Sequence, residues 1–159
     1  MRRKLIIGSS ITAFIAVFLY FSFSQVQPIE IENAPDWLTI EQAMDQAQSV
    51  SDDKLILVDI YEVGCRFCRQ MEREVYPSES IRTLIDRSFI PVKINGNSDN
   101  EIVFNGETMT EQQFANKMGL TAFPFTVVLD KNGNVLNTRR GYMGVSELSR
   151  FLNGTLNEV

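Results

Sequence analysis

Histidine is absent from this chain of 159 residues, cysteine occurs only twice and tryptophan once. A structural zinc site takes about four cysteine or histidine ligands. The two cysteines do not complete such a set, so the sequence disfavours a metal site. Internal repeats and low-complexity tracts are also absent, which disfavours solenoid, fibrous and disordered classes of protein.

Basic residues are scarce beyond the first few positions. The chain has 15 lysines and arginines against 20 aspartates and glutamates, and residues 1–24 contain three of the basic residues and no acidic one. The rest therefore holds 12 basic and 20 acidic side chains, a formal charge of −8. Such a domain lacks the basic surface that releases counterions from phosphates. We therefore expect no nucleic-acid partner.

One long apolar run occurs, at residues 5–23, directly after the basic start Met1-Arg2-Arg3-Lys4. Its 19 residues would span about 28 Å as a helix, close to the thickness of a bilayer core. Ser22 and Ser24 also fit the small positions before a signal-peptidase cut. Residues 1–24 are thus a signal anchor or a cleaved signal peptide, and both remain open. Either kind of segment predicts that the rest of the chain is periplasmic or otherwise extracytoplasmic. If the segment is not cleaved, the protein contacts the membrane only through residues 5–23.

Residues 25–36 read as a linker, and residues 37–159 alternate between helical and strand-like apolar periods. Capping boxes at Thr39 with Gln42 and at Thr110 with Gln113 mark two helix starts. The pattern predicts helices at 39–49, 65–76, 78–87, 110–118 and 146–152, strands at 55–61, 89–94, 125–129 and 135–140, and a loop at 95–109. Parallel crossovers followed by a hairpin indicate an α/β domain with a mixed sheet.

Cys65 and Cys68 stand three positions apart where a strand gives way to a helix. Helix-start N–H groups stabilise a thiolate, so we expect Cys65 to be the attacking nucleophile and Cys68 to resolve the mixed disulfide. A purely structural disulfide is an alternative, although so short a loop removes little unfolded-state entropy. Two unrelated buried thiols are another alternative, which an oxidising compartment disfavours.

Asp59 lies six positions before Cys65 in an otherwise apolar strand. A buried carboxylate has a raised pKa and can accept a proton from Cys68. Lys93, in the next strand, is expected to keep Asp59 partly ionised. The alternatives are that Asp59 faces solvent or pairs structurally with Lys93, and that Lys93 is an ordinary edge-strand lysine.

Four further residues are candidates for binding or tuning. Arg66, beside the thiolate, favours the reduced form, but neither Arg66 nor Phe67 fixes the redox potential. Pro124 precedes a strand. If its peptide bond is cis, the turn would present the backbone of Phe123 to an extended substrate beside Cys65.

Residues 55–152, about three fifths of the chain, resemble the thioredoxin superfamily. The matching segments are 57–61 (LVDIY, with the buried aspartate), 65–68 (CRFC, the active site), 92–95 (VKIN, the lysine-bearing strand), Pro124 (the cis-proline) and Gly141. The resemblance implies a three-layer fold, a central mixed sheet flanked by helices, with Pro124 packed against Cys65. Residues 65–75 are most similar to exported thioredoxins of sulfur-oxidation clusters. Gly64, Arg66-Phe67 and Phe125 depart from ordinary thioredoxin.

These features predict an exported thiol-disulfide oxidoreductase that needs no cofactor besides its Cys65–Cys68 disulfide. Family resemblance favours the reduction of disulfides in envelope proteins, with electrons supplied by a membrane thiol carrier. A disulfide-forming oxidant is the alternative with the same chemistry. A non-catalytic binding module, which uses the Pro124 groove and keeps the cysteines as an inert staple, is the alternative from another class.

Overall fold

The computed structural model describes residues 14–18, 20, 31–49 and 54–158. The chain divides into two compact units, Met1–Glu30 and Ile31–Val159. In the first unit residues 14–18 are helical and exposed. Within the described ranges no helix is both long enough and apolar enough to span a bilayer. Apart from residues 14–18 and 20, the predicted targeting segment at residues 1–24 lies outside the described residues, as do residues 25–30 of the linker, and both stay predictions.

The second unit contains five α-helices and six strands among its described residues. The helices are α1 (Ile40–Ser49), α2 (Arg66–Gln70), α3 (Glu79–Ser88), α4 (Glu111–Lys117) and α5 (Val145–Asn157). The strands are β1 (Leu55–Tyr61), β2 (Phe89–Asn95), β3 (Glu101–Phe104), β4 (Glu107–Thr110), β5 (Phe125–Leu129) and β6 (Val135–Arg140). A π-helical turn, Met71–Val75, continues directly from α2.

Four strands form the central sheet in the order β2-β1-β5-β6, while β3 and β4 form a separate hairpin. β1 and β2 are parallel, whereas β5 is antiparallel to both β1 and β6. The sheet is therefore mixed, as the sequence predicts. Asp59, in the central strand β1, lies opposite Lys93 of β2 and opposite Thr126 of β5.

An apolar cluster covers each face of the sheet, and strand alternation decides which residues face which cluster. Ile56, Val58 and Ile60 pack with α1 and α4. Leu55 and Leu57 pack on the opposite face with the π-helical turn, α3 and α5. Asp59 follows Leu55 and Leu57 at every second position of β1, so it lies on the same face of the sheet as they do. This face packs against the π-helical turn that continues from α2.

Both predicted capping boxes are present. Thr39 and Gln42 exchange side-chain and backbone hydrogen bonds at 3.0 and 3.3 Å, and Thr110 and Gln113 do so at 2.9 and 3.1 Å. Ser78 stands at the N-cap of α3, but its hydroxyl donates to the carbonyl oxygen of Val75 at 2.7 Å. It therefore closes the preceding turn and does not accept a hydrogen bond from α3.

The prediction of a loop at 95–109 is wrong, because β3 and β4 lie within it. Asn105 and Gly106 have positive φ angles of 52° and 80°, as two-residue hairpin turns require. Ile102 and Phe104 are buried on one side of β3 and hold the hairpin to the core. The Asn-Gly pair was the available sequence signal for this turn.

Two helices also differ from the prediction. The helix expected at 65–76 changes to π-helical geometry after Gln70, and the Tyr76 N–H bonds to the Met71 carbonyl at 3.0 Å. The last helix runs through Gly154 to Asn157, beyond its predicted end at Leu152. Burial of Thr155 extends the apolar face and offsets the low helix propensity of glycine.

Candidate active site

Cys65 and Cys68 form a disulfide with their Cα atoms 5.3 Å apart. Cys65 is the N-cap of α2, where its backbone is extended, and the Cys68 N–H donates to the Cys65 sulfur at 3.1 Å. Cys68 is only 5% exposed, whereas Cys65 is partly exposed. Cys65 is therefore the more accessible residue of the pair, and a helix-start N–H points at its sulfur.

Behind the disulfide lies a cavity of about 270 Å³ at the carboxyl end of β1. Residues of β1, of the loop before Cys65, of α2, of the π-helical turn and of β2 line it: Asp59, Tyr61, Glu62, Val63, Gly64, Cys68, Arg69, Glu72 and Lys93. The cavity thus brings together three predicted site residues, Asp59, Cys68 and Lys93. Asp59 and Cys68 line the same cavity, and the role of Asp59 as a proton acceptor stays a prediction.

The Asp59 carboxyl is buried, with 2% of the residue exposed, and its Oδ1 has no hydrogen-bond partner. Burial raises the pKa of Asp59 from 3.8 to about 6, the positive charge of Lys93 and the Tyr76 hydroxyl lower it, and the charge of Glu72 raises it. The group therefore changes protonation close to neutral pH. This suits a residue that takes a proton from a thiol and later releases it.

Lys93 lies on the edge strand β2 and is half-buried. Its ammonium group forms an ion pair with Glu72, and no ion pair joins it to Asp59. The same group lies 4.8 Å from the Tyr61 ring centroid and 5.7 Å from that of Trp37. Lys93 thus acts on Asp59 through its charge, without direct pairing, and the predicted tuning role stays a prediction.

Tyr76 and Thr126 add two buried hydroxyls beside Asp59. Neither oxygen has a hydrogen-bond partner of normal geometry among the described residues. Burial, followed by the charge of Asp59, raises the pKa of Tyr76 well above its usual value. The Tyr76 ring packs edge-on against Trp37 with centroids 5.0 Å apart. Tyr76 is thus a neutral hydroxyl at the inner side of Asp59.

The Phe123–Pro124 peptide bond is cis, and the Pro124 carbonyl accepts a hydrogen bond from the Gly141 N–H at 2.7 Å. Ile60 pairs with Phe125, so Pro124 lies at the carboxyl end of β1, the end from which the chain enters Cys65. Phe123 is partly buried against the core. The contact of Pro124 with Cys65 and the pairing of Phe123 with a substrate stay predictions.

The two residues between the cysteines face outward. Arg66 is exposed, and Phe67 is 52% exposed. The Phe67 ring lies 6.1 Å from that of Tyr142, which directly follows Gly141. An aromatic contact thereby connects the cysteine helix to the segment that is bonded to Pro124, so both lie at one end of the domain.

The site combines a disulfide at a helix start, a buried carboxyl in the adjacent strand and a cis-proline at the same end of the sheet. A sequence comparison agrees with this combination. A family model described as a thioredoxin-like domain matches residues 40–155. The chain belongs to this family. No curated protein sequence matches it.

Solved structures share the thioredoxin-like fold at low identity. The structure titled DsbH oxidoreductase has a TM-score of 0.62 at 18% identity, over 84% of this chain and 91% of that one. A putative disulphide-isomerase from Bacteroides thetaiotaomicron has a TM-score of 0.63 at 19% identity, over 80% and 98% of the two chains. The reduced C-terminal domain of DsbD from Neisseria meningitidis has a TM-score of 0.55 at 18% identity, over 73% and 93%.

A thioredoxin-like domain that carries a reactive pair of cysteines supports thiol-disulfide exchange as the activity of this chain. The family and the Cys65–Cys68 pair together support an enzyme, a thiol-disulfide oxidoreductase. Within the described residues no group of three or more acidic or cysteine side chains is arranged to hold a metal ion.

Sequence reasoning missed Glu72, Tyr76 and Trp37 as parts of the site. Glu72 follows Cys68 by four positions, and residues at this spacing share one face of a helix. That spacing was a usable signal for Glu72. Tyr76 lies beyond the π-helical turn, which shifts the helical face by one residue, so regular α-helical spacing does not predict where its side chain points.

Proposed function

We propose that this chain is an exported dithiol-disulfide oxidoreductase that reduces disulfides in envelope proteins. The observation that supports the proposal most is the asymmetry of the pair. Cys65 is a partly exposed residue whose sulfur accepts a helix-start N–H, whereas Cys68 is buried and lines the same cavity as Asp59. Export is supported by the basic start and the apolar run at residues 5–23. Reduction as the direction rests on the likeness to exported thioredoxins.

In the proposed cycle the Cys65 thiolate attacks one sulfur of a partner disulfide. A mixed disulfide forms between Cys65 and the partner, and the partner's second sulfur leaves as a thiolate. Cys68 then gives its proton to Asp59 and attacks the Cys65 sulfur. The Cys65–Cys68 disulfide forms, the bond to the partner breaks, and the partner leaves with both sulfurs reduced. A membrane thiol carrier returns two electrons to the pair.

Substrates are tested by trapping. A Cys68→Ser variant should retain envelope proteins as mixed disulfides on Cys65, which mass spectrometry identifies after non-reducing electrophoresis. The control is the double variant Cys65→Ser, Cys68→Ser. If the single variant captures no more protein than the double variant, the domain is not an exchange enzyme, and the binding-module alternative is favoured.

Direction is tested by redox titration of the purified domain against glutathione. A reductase should have a couple well below about −200 mV, whereas a couple near about −120 mV is that of a strong oxidant. A value in the second range would replace reduction by disulfide formation and would leave the exchange chemistry unchanged.

A further inference from the structure

Lys93 has two carboxyl groups within its surroundings and is paired with only one of them. Strand register places it directly opposite Asp59, yet its ammonium forms the ion pair with Glu72. The rings of Tyr61 and Trp37 lie 4.8 and 5.7 Å from the same nitrogen. Because cation-π contacts are themselves attractive, three groups hold the ammonium at this position.

This position is the rim of the cavity behind the disulfide. The side chains of Lys93 and Glu72 are 20% and 33% exposed, whereas Asp59 and Cys68 are buried. All four line the same cavity. The ion pair therefore lies on the solvent side, and the carboxyl and the resolving sulfur lie on the inner side.

We propose that Glu72 is a positioning residue for the exchange reaction: by holding the Lys93 ammonium at the rim, it prevents a direct Lys93–Asp59 ion pair and leaves the Asp59 carboxylate free to take the Cys68 proton. This inference rests on the proposed function. A carboxylate locked to a lysine would be a weaker base. Burial disfavours the ionised carboxylate, so Asp59 without the nearby positive charge of Lys93 would be ionised less readily.

The groups around Asp59 predict the direction in which each variant should change the pKa of Asp59. They are Lys93 from β2, Glu72 and Tyr76 from the π-helical turn and the residue after it, Tyr61 from its own strand, and Glu62, Cys68 and Arg69 from the rest of the cavity wall. Lys93 lowers the pKa of Asp59 and Glu72 raises it. Glu72→Gln should therefore lower the pKa of Asp59 below about 6, and Lys93→Met should raise it above about 6.

The matched control is Glu74→Gln. Glu74 lies in the same turn, is exposed and accepts a hydrogen bond from Gln70 at 3.0 Å, and it does not line the cavity. It undergoes the same chemical change without touching Lys93. The conservative variant Glu72→Asp keeps the negative charge and should partly restore the wild-type behaviour.

The experiment is a carboxyl ¹³C NMR titration of Asp59 in the oxidised wild type and the four variants, together with the pH profile of single-turnover exchange with glutathione disulfide. The Asp59 midpoint and the profile should move to lower pH in Glu72→Gln, move to higher pH in Lys93→Met and stay at the wild-type values in Glu74→Gln. If Glu72→Gln and Glu74→Gln give the same Asp59 midpoint, the inference is overturned, whatever the exchange rates. If the wild type exchanges no disulfide with glutathione disulfide, the proposed function fails instead, and the Asp59 midpoints still test the inference on their own.

Discussion

Replacing Asp59 by asparagine should stabilise the domain at neutral pH, although it removes the expected proton acceptor. In the folded protein burial raises the pKa of this carboxyl from 3.8 to about 6. The folded state therefore binds more protons than the unfolded state between these two values. By linkage, stability is lost as the pH rises through this window. Asparagine carries no proton to lose, so the variant avoids this loss.

The magnitude follows from the two pKa values. One pKa unit corresponds to about 1.4 kcal/mol, so a carboxyl that moves from 3.8 to about 6 costs the fully ionised protein about 3 kcal/mol. Only 2% of Asp59 is exposed, so solvent screening does not reduce this figure much. The difference in unfolding free energy between Asp59→Asn and wild type should be flat below about pH 4, rise between about pH 4 and 6, and level off near 3 kcal/mol above its acid value.

The assay is urea unfolding of the oxidised proteins between pH 4 and 8. Asp45→Asn is the matched control, because it makes the same chemical change at an aspartate on the exposed face of α1. Subtracting the wild-type value from the variant value at each pH removes the titration of the other carboxyls. A difference for Asp59→Asn that stays constant from pH 4 to 8, or that falls as the pH rises, would refute the assignment of a raised pKa to Asp59.

Three other variants test neighbouring parts of the structure. Gly96→Ala places a Cβ 2.7 Å from the Phe123 ring, so it should lower the free energy of unfolding in urea by about 1–3 kcal/mol and raise the KM for a disulfide peptide. An unchanged KM would show that Phe123 does not take part in substrate binding. Tyr76→Phe removes a hydroxyl that lowers the pKa of Asp59, so NMR titration should give an Asp59 midpoint above about 6. A lower Asp59 midpoint would contradict this role of the hydroxyl. Thr110→Ala removes the acceptor of a 3.1 Å cap bond and should lower the unfolding free energy by about 1 kcal/mol; no loss would show that the capping box does not contribute.

Local signals explain why most of the fold was predictable from the sequence. The capping residues at Thr39 and Thr110 and the branched run of β1 each carry enough information to mark an element without its neighbours. The 101–110 hairpin has shorter strands, and its exposed strand positions carry a mixture of glutamate, threonine and valine. Its strand pattern is therefore weak, and only the Asn105-Gly106 turn signals it clearly.

The site was predictable where a residue's role follows from the strand it occupies. Asp59 and Lys93 lie on adjacent strands, so their proximity followed from the parallel pairing of β1 and β2. The sequence did not predict that Lys93 pairs with Glu72 and not with Asp59. That pairing depends on side-chain positions set by Tyr61 and Trp37 and on how the helix packs on the sheet. Sequence spacing gives the candidates for an ion pair, and packing decides which pair forms.

The central claim is that exchange begins at Cys65 and is completed by Cys68. It is tested most directly by intact mass spectrometry of the reduced Cys68→Ser and Cys65→Ser variants after mixing with glutathione disulfide near pH 7. The Cys68→Ser variant should gain one glutathione rapidly, because its remaining cysteine is the more exposed residue of the pair and has a helix-start N–H beside its sulfur. The Cys65→Ser variant should react much more slowly, because the Cys68 sulfur is buried. Equal rates, or a faster reaction at Cys68, would contradict the assignment of the two roles.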